Sequence, residues 1–401
     1  MIDFFRRKLK YFKLARQTST VEFTGGMASP AEEVPDLPVS DNLQTNFITL
    51  QTIFQNSTDI VIRRFTMAAS GTEAMVASLN GMSEIKLINE NILGALMTER
   101  VLYHKTDQPM RKITLEYLKN SIINLNDVTE INRIEEAVSA ILQGDTVFFM
   151  EGASHALIFQ TRTWAQCGVQ KPDTESNVRG PKEGFTETLS INISQVRRKI
   201  KDPDLCFESM KLGRRTRTEI CVVYIKDIAD PKIVAEVWRR LRRIDMDAVL
   251  ESGYIEELIE DAPWSIFPTV GNTETPDKFA AKVLEGRVGI MVEGTPFALT
   301  VPYLFVESFQ MAEDYYSRAF FTSLLRMIRF FALHLTIALP ALYVAITTFH
   351  PNVLPDQLLR TIAATREGLP FPAFVEALLM GFFMRPFGRV LSICRAPSGN
   401  R

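Results

Sequence analysis

Apolar residues recur at three- and four-residue spacing from Asn42 to Phe54 (Leu43, Phe47, Leu50, Phe54), which predicts a helix with one buried face. Asp59 to Phe65 then alternates as a half-buried strand does. Later apolar runs come in matched pairs. Glu73 to Glu90 (EAMVASLNGMSEIKLINE) aligns without gaps with Glu219 to Glu236 (EICVVYIKDIADPKIVAE), each reading as strand, short polar turn and helix start. Further on, VFFMEGASHALIF from Val147 matches VGIMVEGTPFALTV from Val288, with Glu151-Gly152 falling on Glu293-Gly294 between apolar runs. That is a hairpin signature, glycine supplying the positive φ of a tight turn. Helical periodicity fills the interval in both halves, at Ile131 to Leu142 in the first and at Val234 to Leu241, Ala248 to Ile259 and Lys278 to Leu284 in the second. The fold class expected is α/β: two related small lobes of strand, helices and hairpin, each burying one sheet face under helices in two layers, followed by an α-helical membrane region. The expected divisions are 1–41 (basic segment and flexible linker), 42–160 (first lobe), 161–218 (connection), 219–310 (second lobe), 311–384 (membrane region) and 385–401 (tail).

The membrane expectation rests on Phe330 to Phe349, which carries no formally charged side chain. A helix of about 20 residues matches a hydrocarbon core of about 30 Å. The alternative is a buried helix of a soluble core. Pro340 should kink the helix, and His334 either lines a polar path or bonds a neighbouring helix. Arg318, Arg326 and Arg329 precede the span, so the positive-inside rule puts that end in the cytoplasm, although Arg360 and Arg366 beyond it keep the asymmetry small. Phe371 to Met384 is apolar around Glu376 but too short to span alone. The basic, Phe-rich stretch from Met1 to Gln17 reads either as an interfacial segment or as a solubilising tail. Val288 to Phe309 is also apolar, but its first half aligns with the first hairpin and Glu293 would be costly at mid-bilayer, so strands are expected there.

Composition adds mainly exclusions. A net charge of -2 with interleaved signs gives no field that recruits nucleic acid. Cys167, Cys206, Cys221 and Cys394 form no C-x-x-C pair and sit near no histidine cluster, so neither metal nor redox centre is expected, and their scarcity fits a reducing compartment. Nucleotide-binding, hydrolase, zinc-protease and calcium-loop motifs are missing, so no catalytic residue or cofactor is assigned. Two basic stretches stand out. In ESNVRGPKEGFTE, Arg179, Gly180, Lys182, Glu183 and Gly184 form either an anion-binding nest or a structured connection between lobes. In LGRRTRT, Arg214 and Arg215 precede a strand and either join such a site or pair with nearby acids.

These stretches carry a resemblance. ESNVRGPKEGFTE followed by Asn192, Arg197 and Arg198, then LGRRTRT, IDMDAVLESGYIEELIED, EGRVGIMVEGTPFALTVPYLFVESFQMAEDYY, LPALYVAITTFHPNVLP and REGLPFPAFVEALLM, resemble the A subunits of GerA-type spore germinant receptors over roughly 42–380. The resemblance implies cytoplasmic lobes and a membrane domain in the inner spore membrane. It implies partners too: a transporter-like B subunit that is the likelier site of the small nutrient, a lipoprotein C subunit, the lipid bilayer, and oligomerisation of the A subunit into an ion pathway. After Met380 the chain departs from the family's pattern, reading GFFMRPFGRVLSICRAPSGNR; a frameshift or an interrupted coding sequence would explain it, and a chain that does not support germination is the expectation. Two rivals belong to other classes: a membrane-tethered enzyme, and a metabolite-binding module, each with its site between the lobes. Convergent acids and bases in a cleft favour the enzyme.

Overall fold

In the computed structural model the described residues are 37–55, 57–68, 70–98, 128–163, 181, 183–261, 265, 267–309 and 319–350, with isolated positions at 115, 118 and between 355 and 379. The basic N-terminal stretch, Cys167, Cys394 and the tail lie outside them, as do ten of the fourteen residues 371–384. The chain divides into two compact units, Met1–Ser308 and Phe309–Arg401.

The first unit holds two lobes. In the first, α1 (Leu43–Phe54) leads into β1 (Ile60–Thr66) and β2 (Glu73–Leu79). A helical stretch follows, made of α2 (Ile85–Leu87), a π-helical turn (Ile88–Gly94) and α3 (Ala95–Thr98). Then come β3 (Val128–Ile131), α4 (Ile134–Leu142), β4 (Thr146–Met150) and β5 (Ala156–Phe159). The second lobe runs α5 (Leu189–Lys199), β6 (Leu205–Leu212), β7 (Thr218–Ile225), α6 (Pro231–Arg242), α7 (Ser252–Ile259), β8 (Gly271–Thr273), α8 (Pro276–Leu284), β9 (Val288–Val292) and β10 (Ala298–Val301). Both sheets have five antiparallel strands in one order, β1-β2-β4-β5-β3 and β6-β7-β9-β10-β8.

Each sheet is covered on both faces, which corrects the two-layer expectation. Alternate residues point to opposite sides of a strand. Met75, Ala77 and Leu79 of β2 pack under α1 and α4 with Leu43, Leu50, Val138 and Ile141. Ala74 and Val76 join Ile88, Ile92, Leu96 and Phe148 on the other face. In the second lobe Cys221 and Val223 meet Leu189, Val196, Phe279 and Val283, while Ile220 and Val222 meet Val237, Leu241, Ile255 and Ile259. The unbroken apolar strands VFFM and VGIMV are what two-sided burial requires.

The repeat reaches further than the aligned strands. Glu151 Oε2 accepts a hydrogen bond from Leu43 N at 2.7 Å, and Glu293 Oε2 accepts one from Leu189 N at 2.7 Å. Each hairpin carboxylate thus caps the first turn of its lobe's leading helix, where unpaired N–H groups and the helix dipole favour an anion. Gly152 and Gly294 follow at φ +80° and +88°, donating to Asp41 O and Glu187 O. Asn46 brackets Ser40 through its side-chain amide as Asn192 brackets Thr186. The segment expected to be only a connection, 161–218, therefore contains α5 and β6 of the second lobe. The chain also packs before Asn42, with Val39 buried and bonded to Asn132 O.

The second unit is described mainly by α9 (Ala319–Phe349), with Pro340 inside it. Phe320–Phe349 is long and apolar enough to cross a membrane: an 18-residue window within it has a mean hydropathy of 1.9, and none of that window is buried by protein. A buried core helix would not look like this.

Candidate functional site between the two lobes

Helix α5 ends in Arg197, Arg198 and Lys199, where cations offset the helix dipole. Arg197, however, turns inward and is 1% exposed. Its Nε lies 2.8 Å from Asp59 Oδ2 and its Nη2 3.1 Å from Asp59 Oδ1, a two-pronged pair across the lobes. Nη2 also donates to Ser57 Oγ at 3.1 Å and Leu205 O at 2.9 Å, and Nη1 to Asp202 O at 2.9 Å. The Phe207 ring lies 4.8 Å from the guanidinium carbon. Asp59 is equally enclosed, at 4% exposure, and accepts a 2.5 Å bond from Ser57 Oγ.

Two further contacts set the junction. Thr58 N donates to Phe207 O at 2.8 Å, so the chain before β1 adds to the free edge of β6. One turn earlier on the helix, the turn at Gly81 (φ +79°) sits so close that a Cβ there would lie 2.4 Å from Ser194 Oγ. A desolvated ion pair contributes little net stability against an apolar equivalent, but losing one partner costs about 3–5 kcal/mol. The pair therefore fixes one orientation of the lobes more than it strengthens them.

Beside the pair opens a cleft of about 840 Å³, lined by Thr58, Asp59 and Asn80 from the first lobe and by Ser190, Ile193 and Lys211 among residues of the second. Nothing in this region titrates usefully near neutrality among the groups whose pKa is displaced. Burial, with the Glu208 charge, pushes the Cys206 thiol up to about 11, and burial pushes Cys221 and Tyr224 higher still. No group of three or more His, Cys, Asp or Glu suited to a metal occurs among the described residues.

The residues singled out by sequence are only partly gathered here. Glu183 lies 3.5 Å from Arg198 and 4.0 Å from Lys199, and Gly184 O accepts from Gln195 Nε2 at 3.2 Å, so both pack on α5. Arg179, Gly180, Lys182 and Arg318 lie outside the described residues. Arg214 instead grips Asp245 at the exposed loop between β6 and β7, at 2.7 and 2.6 Å, and Arg215 donates its backbone N–H to Asp247 O. Arg326 and Arg329 lie on α9, as does Pro340, and His334 Nδ1 sits 2.9 Å from Phe330 O of its own helix. Arg197 was visible only inside the resemblance. Ser57 and Asp59 carried no signal.

The family model for the Bacillus/Clostridium GerA spore germination protein matches residues 48–386. This chain belongs to the GerA family. Among GerA proteins it is similar to spore germination protein KA of Bacillus subtilis, 39% identical over 85% of this chain and 62% of that protein. It is also similar to spore germination protein GerLA of Bacillus cereus, 37% identical over 81% of this chain and 65% of the relative. The chain thus spans a little under two-thirds of the length of these GerA relatives. Its lobes resemble the crystal structure of the N-terminal domain of the A subunit of the Bacillus megaterium spore germinant receptor GerK3, with 35% identity and a TM-score of 0.52 over 67% of this chain and 98% of that domain.

Proposed function

We propose that this protein is the A-type subunit of a nutrient-responsive germinant receptor, working by change of state and not by catalysis. One observation carries the reading: a two-lobed unit like the GerK3 A-subunit domain, followed, among the described residues, by a helix long and apolar enough for a bilayer. The lobes face the cytoplasm of the spore, α9 enters the inner membrane, and Arg318, Arg326 and Arg329 lie toward the cytoplasmic interface. A B subunit supplies the principal nutrient site and a lipoprotein C subunit completes the complex. The A subunit oligomerises to form an ion path. Residues 302–318 carry the state of the lobes to the membrane.

Affinity purification of a tagged chain from spores tests this, with recovery of B- and C-type subunits from the membrane fraction expected. Recovery from the soluble fraction without them refutes it. Leu339→Arg should cost about 2.5–3.5 kcal/mol of insertion. A second reading, a lobe pair that senses a small polar metabolite, is favoured by the interlobe cleft. Calorimetric titration of amino acids and sugars against the lobes separates the two.

A further inference from the structure

The short 3₁₀ turn Phe305–Phe309 is inside out. Its one charged residue, Glu307, is 6% exposed, whereas Leu304, Phe305 and Val306 are 49%, 45% and 53% exposed. Glu307 is held from three directions. Arg287 Nη2 lies 2.5 Å from Oε1, Leu304 N donates to Oε1 at 3.0 Å, and Lys282 Nζ stands 3.0 Å from Oε2 as an ion pair without hydrogen-bond alignment. Arg287 also donates to Pro302 O. Phe267, half exposed, stacks edge-on against Phe305 with ring centroids 4.7 Å apart.

In water alone this arrangement is unfavourable on both counts. A carboxylate gives up its hydration while three large apolar side chains keep theirs. Rolling the turn would reverse both, and the two cations together with the bond to Leu304 N prevent it. Such a ridge, aromatic and uncharged at its crest, has the chemistry of segments that rest at the boundary of headgroups and acyl chains. Residues 310–318 are all that separate it from α9, and a chain of that length reaches at most roughly 30 Å.

We infer that Leu304, Phe305, Val306 and Phe267 form a lipid-seating ridge, presented to the bilayer surface by the buried Glu307 and its Lys282 and Arg287 partners. The inference rests on α9 spanning the membrane. The ridge gives the lobes a second hold on the bilayer besides α9.

The test uses the full chain with Cys167→Ser and Cys394→Ser, reconstituted in phosphatidylethanolamine and phosphatidylglycerol vesicles. An environment-sensitive fluorophore is placed singly at Val306→Cys, Ile85→Cys or Leu339→Cys. The label at 306 should shift to the blue and be quenched by shallow nitroxide lipids, the label at 85 should do neither, and that at 339 should be quenched by deep nitroxide lipids. If 339 is quenched while 306 behaves like 85, the seat is wrong and the span stands. If 306 is shielded from an aqueous quencher yet untouched by nitroxide lipids, the ridge is covered by protein and the inference fails. If 339 is not quenched, the span and the seat fall together.

Discussion

Arg197→Met puts the greatest strain on the structural argument. It leaves the Asp59 carboxylate, with 3% of its side chain exposed, facing Ser57 alone. Asp59→Leu leaves a guanidinium enclosed with Ser57 and the carbonyls of Asp202 and Leu205. Each single change should lower the stability of the lobes by about 3–5 kcal/mol, because a buried charge is left without its counter-ion. The double variant removes both charges and replaces them with side chains of comparable bulk. It should be no worse than either single, which requires a coupling of about 3 kcal/mol or more in a double-mutant cycle. Urea unfolding of residues 37–309, followed by circular dichroism, reads all four corners, since the related GerK3 domain crystallised as a separate piece. Losses of about 0–1 kcal/mol in the singles, as for an exposed pair, would refute the assignment. So would simple additivity in the double.

Three further outcomes are expected. Gly81→Ala should be clearly more damaging than Gly152→Ala, because both positions need positive φ, costing about 1–2 kcal/mol, but only at Gly81 does a Cβ also meet another element; equal losses would show that α5 does not rest on that turn. Glu151→Ala and Glu293→Ala should each cost about 0.5–2 kcal/mol as lost helix caps and lower the urea midpoint similarly, and a silent Glu293→Ala would break the equivalence of the hairpins. Glu256 has its carboxyl raised by burial first and by Glu251, against the bond from Asn272. A raised acid binds its proton longer folded than unfolded, so its contribution is present below the ordinary carboxylate range and lost as pH rises through the folded value. Glu256→Gln should flatten that fall in the urea midpoint just above the ordinary range, and an unchanged pH profile would contradict it.

The hairpins were legible because Glu-Gly between two apolar runs is a local signal, and a turn requiring positive φ admits few residues. Two-sided burial was also written in VFFM and VGIMV, whose lack of alternation distinguishes them from Ile60–Thr66. The leading helices were harder to match. LQTNFITLQTIF and LSINISQVRRK share the capped leucine and the bracketing asparagine, while the rest follows different neighbours. For the junction, periodicity had nothing to offer. Its partners lie 138 residues apart, and an arginine in the last turn of a basic helix reads as a solvated cation whether or not it is buried.

The bracketing bonds of Asn46 and Asn192 set a register in which Arg197 of α5 corresponds to Gln51 of α1, an exposed residue. The ion pair at the junction therefore has no counterpart built from the same position of the first lobe: a cation from one copy meets an acid from the other, and glutamine at 51 cannot return the contact. The duplication kept the frame of each lobe and made their surfaces unequal, so the two copies are no longer interchangeable.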